Sequence, residues 1–360
     1  MIAPIKRPIN PDTTVSRNRV IVDLASELAK RGHKVTIVGT ADSYLPGIEI
    51  LGVVPASLNS LPAAENPFYQ HTAYLTAMIA ELIRRQGDFD MVHNHMYPEF
   101  LPLLAIKSLN IPILTTVHAQ MTNELKNALG AFPEAHLVAI SESAKRLADL
   151  PMTVVHNSVD TEFFVPDEGK KKDYLLFVGR MSKARDKDGR FLDPKGVGNA
   201  IEVGKKTGVR LKIVGNVEDP EFYQTIVKPY LSDKIEFVGE VSAEQKLSRG
   251  QMRELYQGAI ALLNPINWEE PFGLVMAEAL SCGTPVIAFN RGAVSEILVD
   301  SKTGYVIDPN SGMEGLVEAV GKIDRIDRNI CRQQAVANFS KKRMVDEYEE
   351  LYFQLLSNSM

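Results

Sequence analysis

Two hydrophobic periods alternate along the chain. Between residues 19 and 30 the apolar side chains Val20, Leu24 and Leu28, flanked by Ile21 and Ala25, recur at helical spacing and predict an amphipathic helix that Gly32 ends. Residues 33–38 then form a short apolar run bounded by polar residues, which predicts a strand. The alternation continues. A helix is predicted at 68–85, with strands at 90–95, 113–118, 137–140 and 153–156. In the second half, strands are predicted at 174–180, 211–215, 235–239 and 259–264, and helical sequence follows each of them. Residues 1–4 read as the stub of a first strand. At the other end Met344, Tyr348, Leu351, Tyr352 and Leu355 form one stripe of a terminal helix, with Lys341, Lys342 and Glu349 expected to face water. Strands alternating with helices on this scale predict α/β architecture with parallel, doubly wound sheets. Ligands of such sheets bind beyond the carboxyl ends of the strands.

One stretch departs from simple patterning. In residues 268–286, Glu270-Pro271-Phe272-Gly273 reads as a turn that opens a helix with apolar Leu274, Val275, Ala277, Ala279 and Leu280. Gly283 ends it, and a buried strand follows from Thr284. Glu270 and Glu278 are expected at the two ends of this helix, roughly 12 Å apart at about 1.5 Å per residue. A glycosidase pair stands about 5 to 9.5 Å apart, so this spacing suits the ends of an extended ligand. An anion between them would meet the helix start at Phe272 and Gly273.

The run Glu270-x7-Glu278 with Pro-Phe-Gly inside it, followed by Ala-Leu-Ser-Cys-Gly-Thr-Pro-Val, resembles the signature of the family-4 retaining glycosyltransferases of the GT-B fold. The resemblance implies two Rossmann-like parallel-sheet domains facing a cleft. Residues 1–160 would be the acceptor-side domain and 161–340 the nucleotide-sugar domain, with residues 341–360 a terminal helix crossing back to the first. It also implies hexose transfer from a nucleotide-diphosphate sugar, UDP-linked, with retention and without a cofactor or metal. Glu278 would take the ribose hydroxyls, Glu270 the sugar, and Arg180 and Lys195 the diphosphate. His118, at a strand end, would lie near the donor sugar or the leaving phosphate. Gly179, Gly215, Val238, Gly239, Pro271, Phe272, Gly273, Leu274 and Glu296 would complete the donor and base surroundings.

The sequence also differs from the family pattern. A Gly-Gly loop is replaced by residues 14–19, where Arg17 or Arg19 would supply the missing positive charge. These two and His95 are the acceptor-side candidates. Family chains usually begin several residues earlier, and Ser158 stands where the family has glycine. Residues 183–193 form a charged insertion, expected to be mobile and to touch the acceptor. The Asp-x-Asp at Asp186 and Asp188 lacks a supporting strand, and His93-x-His95 lacks a third partner nearby, so neither is expected to bind metal. Ser141 is expected to cap a helix.

Composition narrows the partners. The 360 residues suffice for two ordinary domains, and a formal charge of −5 argues against a dedicated nucleic-acid binder. Cys282 and Cys331, the only cysteines, are expected as small buried apolar residues. No signal peptide or spanning run is legible, which predicts a cytoplasmic protein and leaves peripheral membrane contact open. The acceptor (lipid, glycan or small metabolite), the base and the oligomeric state are not legible. A sugar-nucleotide epimerase or hydrolase of the same fold and a non-catalytic sugar-nucleotide or glycan-binding protein stand as alternatives. A Rossmann oxidoreductase is disfavoured because no Gly-x-Gly-x-x-Gly follows the first strand.

Overall fold

The computed structural model describes residues 1–241 and 247–358. The polypeptide forms two compact units. The first is Met1–Asn157 joined by the chain from Lys341 onward, and the second is Ser158–Ser340.

In the first unit, β1 (Thr36–Thr40) pairs in parallel with β2 (Glu49–Val54). β3 (Val92–Asn94), β4 (Ile113–Val117), β5 (His136–Ala139) and β6 (Thr153–Val154) form a parallel ladder in that order. The expected first-strand stub contracts to single parallel bridges from Ile2 to Val38 and to Asn94, which place residue 2 between β1 and β3. The order is therefore β2, β1, Ile2, β3, β4, β5, β6, with its switch point beside Ile2. No strand is predicted at β2 from the sequence, although Ile50, Leu51, Val53 and Val54 form an apolar run broken only by Gly52; most of these side chains are half-buried.

The helix Ser16–Lys30 begins four residues before its apolar stripe and buries Val20, Leu24 and Leu28. Against these pack Met344, Val345, Tyr348, Tyr352 and Leu355 of the terminal helix Lys341–Asn358. That helix therefore belongs to the core of the first unit. Glu349 corrects the expectation of a solvated face. It is only half-exposed, receives Arg31, and lies 2.7 Å from His33 Nε2.

The second unit is one six-stranded parallel sheet ordered β12, β11, β10, β7, β8, β9. These are β7 (Tyr174–Val178), β8 (Arg210–Val214), β9 (Ile235–Gly239), β10 (Ala259–Asn264), β11 (Val286–Phe289) and β12 (Gly304–Ile307). β7 is buried along its whole length, as expected of a strand covered on both faces. The first strand, β7, is central. The chain adds β8 and β9 on one side, then β10 to β12 on the other, so the direction of winding reverses between β7 and β10. Such a reversal opens a crevice outside the carboxyl ends of the two strands. Cys282 and Cys331 are both buried, and burial pushes both thiols up from their ordinary values. Among the described residues no helix is long and apolar enough to cross a membrane.

Candidate functional site

The crevice at the β7/β10 reversal gathers most of the expected donor residues. Beyond β7 come Gly179 and Arg180, and beyond β8 comes Gly215. A Cβ on Gly215 would lie 1.8 Å from the Gly179 carbonyl oxygen, so glycine here lets two strand ends touch. Arg180 leaves this point exposed and faces Glu218 at 3.5 Å. Gly196, at φ +79°, precedes the helix Val197–Thr207, and a Cβ there would strike the Pro265 carbonyl oxygen at 1.9 Å. Half-buried Asp193 holds this turn by accepting from the N–H groups of Gly196 and Gly198 at 2.8 Å each. Burial raises its carboxyl above the usual range, against the pull of those N–H bonds.

The turn delivers Lys195 to the loop beyond β10. Asn267 donates from its backbone to the Pro194 carbonyl at 2.9 Å and from its side chain to the Asp193 carbonyl at 2.8 Å. Lys195 Nζ then lies 2.5 Å from Glu270 Oε2, and 4.5 Å from the centre of the Trp268 ring. The Trp268 indole N–H donates to the same Oε2 at 3.1 Å. The Glu270 backbone is tied in turn, its carbonyl accepting from Ala293 N–H at 2.9 Å.

This geometry corrects the expected place of Glu270. The helix is Leu274–Ser281, and its N-cap is Gly273 at φ +96° with no side-chain cap. Glu270 lies in the preceding loop, neither on the helix nor capping it, because Pro271 and Gly273 turn the chain before helical geometry begins. The distance computed along a helix axis therefore does not apply. Phe272 is expected to offer its backbone at the helix start, and its side chain points away into the core. It is buried and packs edge-on against Phe339, with ring centres 5.8 Å apart, so only its backbone is offered to a ligand. Pro271 and Leu274 are half-buried beside it.

Glu278, in the last turn of the helix, accepts from the Tyr256 hydroxyl at 2.8 Å. Tyr256 is fully buried, and burial followed by the Glu278 charge raises its phenol well above its ordinary value. Val238 and Gly239 close β9 half-buried, and Glu296 sits half-buried on the short helix Val294–Ile297. Together the elements present one half-buried cation, two partly buried carboxylates and a helix start whose first N–H groups have no intrahelical partner. Such a set can receive an anion flanked by hydroxyl groups.

The first unit carries a different cluster beyond β3 and β4. His95 Nδ1 lies 2.9 Å from His118 Nε2, and the His93 and His95 rings are 3.9 Å apart. Burial, with Arg17 contributing, lowers His118 well below the ordinary imidazole value and lowers His95 to about 3. Both are neutral at neutral pH. Among the described residues His95 Nε2 is buried without a hydrogen-bond partner. A bare acceptor in that position costs less than an orphaned N–H, since two lone-pair sites are easier to leave unmet than a donor. The proton therefore sits on Nδ1, and His95 donates to His118. His93 bonds Tyr352 and Thr116, at 2.6 and 2.8 Å, so it is hydrogen-bonded structure. Arg17 is held by Glu99 at 2.5 Å and donates to the Met96 carbonyl at 3.0 Å, while Glu99 also accepts from Ala119 N–H beside His118. Arg19 pairs instead with Asp23 and the Pro11 carbonyl, a local structural use. Ser141 caps the helix Glu142–Ala148 by accepting from Ala144 N–H.

The insertion at 183–193 is a fixed hairpin, not a loose loop. Arg185 and Phe191 form an antiparallel bridge, and Arg185 stacks on Phe191 and pairs with Asp219 and Glu221. Asp186 Oδ1 accepts from the N–H groups of Asp188 and Arg190, which accounts for its presence in the turn. Among the described residues no three His, Cys, Asp or Glu side chains converge to hold a metal. Sequence reading assigned no role to Trp268, Tyr256, Glu99 or Asp193. Trp268 carried a signal, two residues before Glu270. Glu99 and Tyr256 lie far in sequence from the groups they touch, whereas Asp193 acts locally, on the N–H groups three and five residues ahead.

Comparison with known proteins gives concordant matches. A family model described as glycosyl transferases group 1 matches residues 158–336, and one described as glycosyltransferase family 4 matches residues 18–163. A D-inositol 3-phosphate glycosyltransferase of Kribbella flavida is 26% identical over 89% of this chain and 85% of its own length. Sucrose-phosphate synthase from Thermosynechococcus elongatus superposes with a TM-score of 0.78 at 18% identity, covering 99% of both chains. Anabaena HepE, solved in complex with UDP and glucose, superposes with a TM-score of 0.71 at 15% identity over 97% of this chain and 98% of its own.

Proposed function

The chain belongs to the family-4 glycosyltransferases of the GT-B fold, and from that premise we propose that it moves a hexose from a UDP-linked sugar to an acceptor hydroxyl with retention at the anomeric carbon. The observation that carries the reading is the convergence of Lys195, Glu270 and Trp268 at the β7/β10 reversal, beside the helix start at Gly273. In this reading Lys195 and Arg180 offset the diphosphate charge, Glu270 takes sugar hydroxyls and Glu278 takes the ribose. His118 acts toward the sugar or the leaving phosphate through the N–H left on its Nδ1. The bond from the anomeric carbon to the phosphate oxygen breaks and the bond to the acceptor oxygen forms on the same face. The acceptor proton passes to the leaving phosphate oxygen, so the protein supplies charge stabilisation and no nucleophile. Complexes with UDP and glucose in a protein of the same fold support the donor, and an inositol-phosphate relative supports a small polar acceptor.

The reaction is metal-independent and cytoplasmic in this reading. The test incubates the protein with UDP-glucose, UDP-galactose or GDP-mannose and a panel of sugar, inositol and lipid acceptors, and follows released nucleotide and the product's anomeric configuration by NMR. Acceptor-dependent release with retained configuration is expected, unchanged by chelator. Inverted product overturns retention, and activity lost in chelator and restored by Mg²⁺ overturns metal independence. Nucleotide release that ignores every acceptor points to the hydrolase alternative.

A further inference from the structure

We infer that Trp268 is a positioning residue that keeps Glu270 oriented while Lys195 is engaged by a phosphate, and that it reports occupancy of the site by its fluorescence. This rests on the donor reading above. Three contacts form a closed triangle. Lys195 Nζ is 2.5 Å from Glu270 Oε2, the indole N–H is 3.1 Å from the same oxygen, and the ammonium lies 4.5 Å from the indole ring centre. An indole nitrogen can only donate, so its bond requires an acceptor oxygen held in place. With Oε2 bonded twice, rotation of the carboxylate is fixed, and Oε1, to which no described residue donates, is the oxygen left for a ligand hydroxyl.

The two bonds to Oε2 respond differently to a ligand. An arriving diphosphate carries more negative charge than one carboxylate and competes directly for Lys195. Were the lysine the sole anchor of Glu270, binding the diphosphate would release the carboxylate just when the sugar needs it. The indole N–H is neutral and is not drawn to phosphate as strongly, so it retains Oε2. The ring face meanwhile keeps the lysine within reach of both anions by cation–π attraction. Chain position supports this division. Trp268 and Glu270 share one loop, two residues apart, whereas Lys195 reaches them from the turn before another helix.

Trp268 is the single tryptophan of the chain, so its emission is not masked by any other indole. Drawing the ammonium toward a phosphate while it stays near the ring changes the field at the indole, so a change of emission is expected. The experiment has two arms, both on the full-length protein. UDP is titrated by calorimetry and by tryptophan fluorescence in parallel, and a saturable emission change with the calorimetric affinity is expected. Trp268→Phe keeps a ring under Lys195 but removes the N–H donor. It should bind UDP within about threefold of the parent while kcat with UDP-glucose falls about tenfold or more, since the carboxylate orientation matters most in the transition state. Trp268→Leu should also weaken UDP. Calorimetric binding with flat emission overturns the inference alone, as does a Trp268→Phe variant of parental kcat. If UDP, GDP and ADP all fail to bind by calorimetry, the donor reading itself falls and takes the inference with it. Should Trp268→Phe fail to fold, by its thermal melt, the emission arm on the parent still decides.

Discussion

Both parallel sheets gather ionisable groups beyond strand ends at or next to a reversal of winding, yet treat their charge in opposite ways. Beyond β7 and β10 the groups stay partly exposed and ionic. The Lys195 and Glu270 side chains keep 20% and 12% of their exposure and satisfy each other. Beyond β3 and β4 the imidazoles are desolvated until they are neutral, with His95 lowered to about 3. The difference shows that position in the topology selects where a ligand can bind, while local burial selects what the groups there can do. A wet ion pair can exchange one partner for an anionic ligand at modest cost. A neutral pair of one buried and one half-buried imidazole offers an N–H of fixed direction and resists acquiring charge.

The largest test of the contrast concerns what each sheet needs to stand. The first unit borrows its last helix from the end of the chain, and the second does not. Ending the chain after Ser340 strips Met344, Val345, Tyr348, Tyr352 and Leu355 from the first core. At about 1.5 to 3 kcal/mol for each buried side chain, the loss is roughly 8 to 15 kcal/mol, as large as the stability of a whole domain. Calorimetry of the truncated protein should lose the melting transition of the first unit and keep that of the second. Two unchanged transitions would break the comparison.

Next comes the ion pair. Lys195→Ala removes a charge-assisted contact, worth about 1.5 to 3 kcal/mol, and should weaken bare UDP roughly ten- to hundredfold. Glu270→Ala should leave bare UDP unchanged or tighten it a few-fold, because it releases Lys195, while turnover of UDP-sugar falls at least tenfold. A Glu270→Ala variant that loses UDP as severely as Lys195→Ala would show that the pair does not exchange partners with the ligand.

The histidine side is read by pH. Its folded pKa is depressed, so below about pH 6.5 the unfolded chain binds protons that the folded one refuses. Stability is fully present above 6.5 and is lost as pH falls toward 3. For His95 the loss between pH 7 and 5 is about 2 kcal/mol. Urea midpoints should fall over that range in the parent and fall less in His95→Asn. Equal slopes would mean that His95 is not held neutral by burial.

The smallest expected effect belongs to Tyr256→Phe, which removes one hydroxyl donated to Glu278. UDP binding should weaken about fivefold, near 1 kcal/mol, through a less fixed Glu278. Unchanged affinity, measured by calorimetry, would free Glu278 from that partner.

What the sequence determined by itself was local. Helical stripes such as Val20, Leu24 and Leu28, buried runs such as β7, the glycine stops and the 268–286 signature each lie within one or two turns of chain. Side-chain spacing encodes such features directly. They were enough for the fold class and the family, and they named the donor candidates. The strand β2 went unseen although Ile50, Leu51, Val53 and Val54 mark it. Tertiary structure alone decided the partnerships. Lys195 meets Glu270 across 75 positions, Tyr256 meets Glu278 across 22, and His93 meets Tyr352 across 259. It also moved Glu270 off its helix, turned Phe272 into the core and folded the 183–193 insertion into a hairpin. The reason is physical. Periodicity records which face of an element is buried, but strand order and burial decide which charged groups then face one another and whether they remain charged.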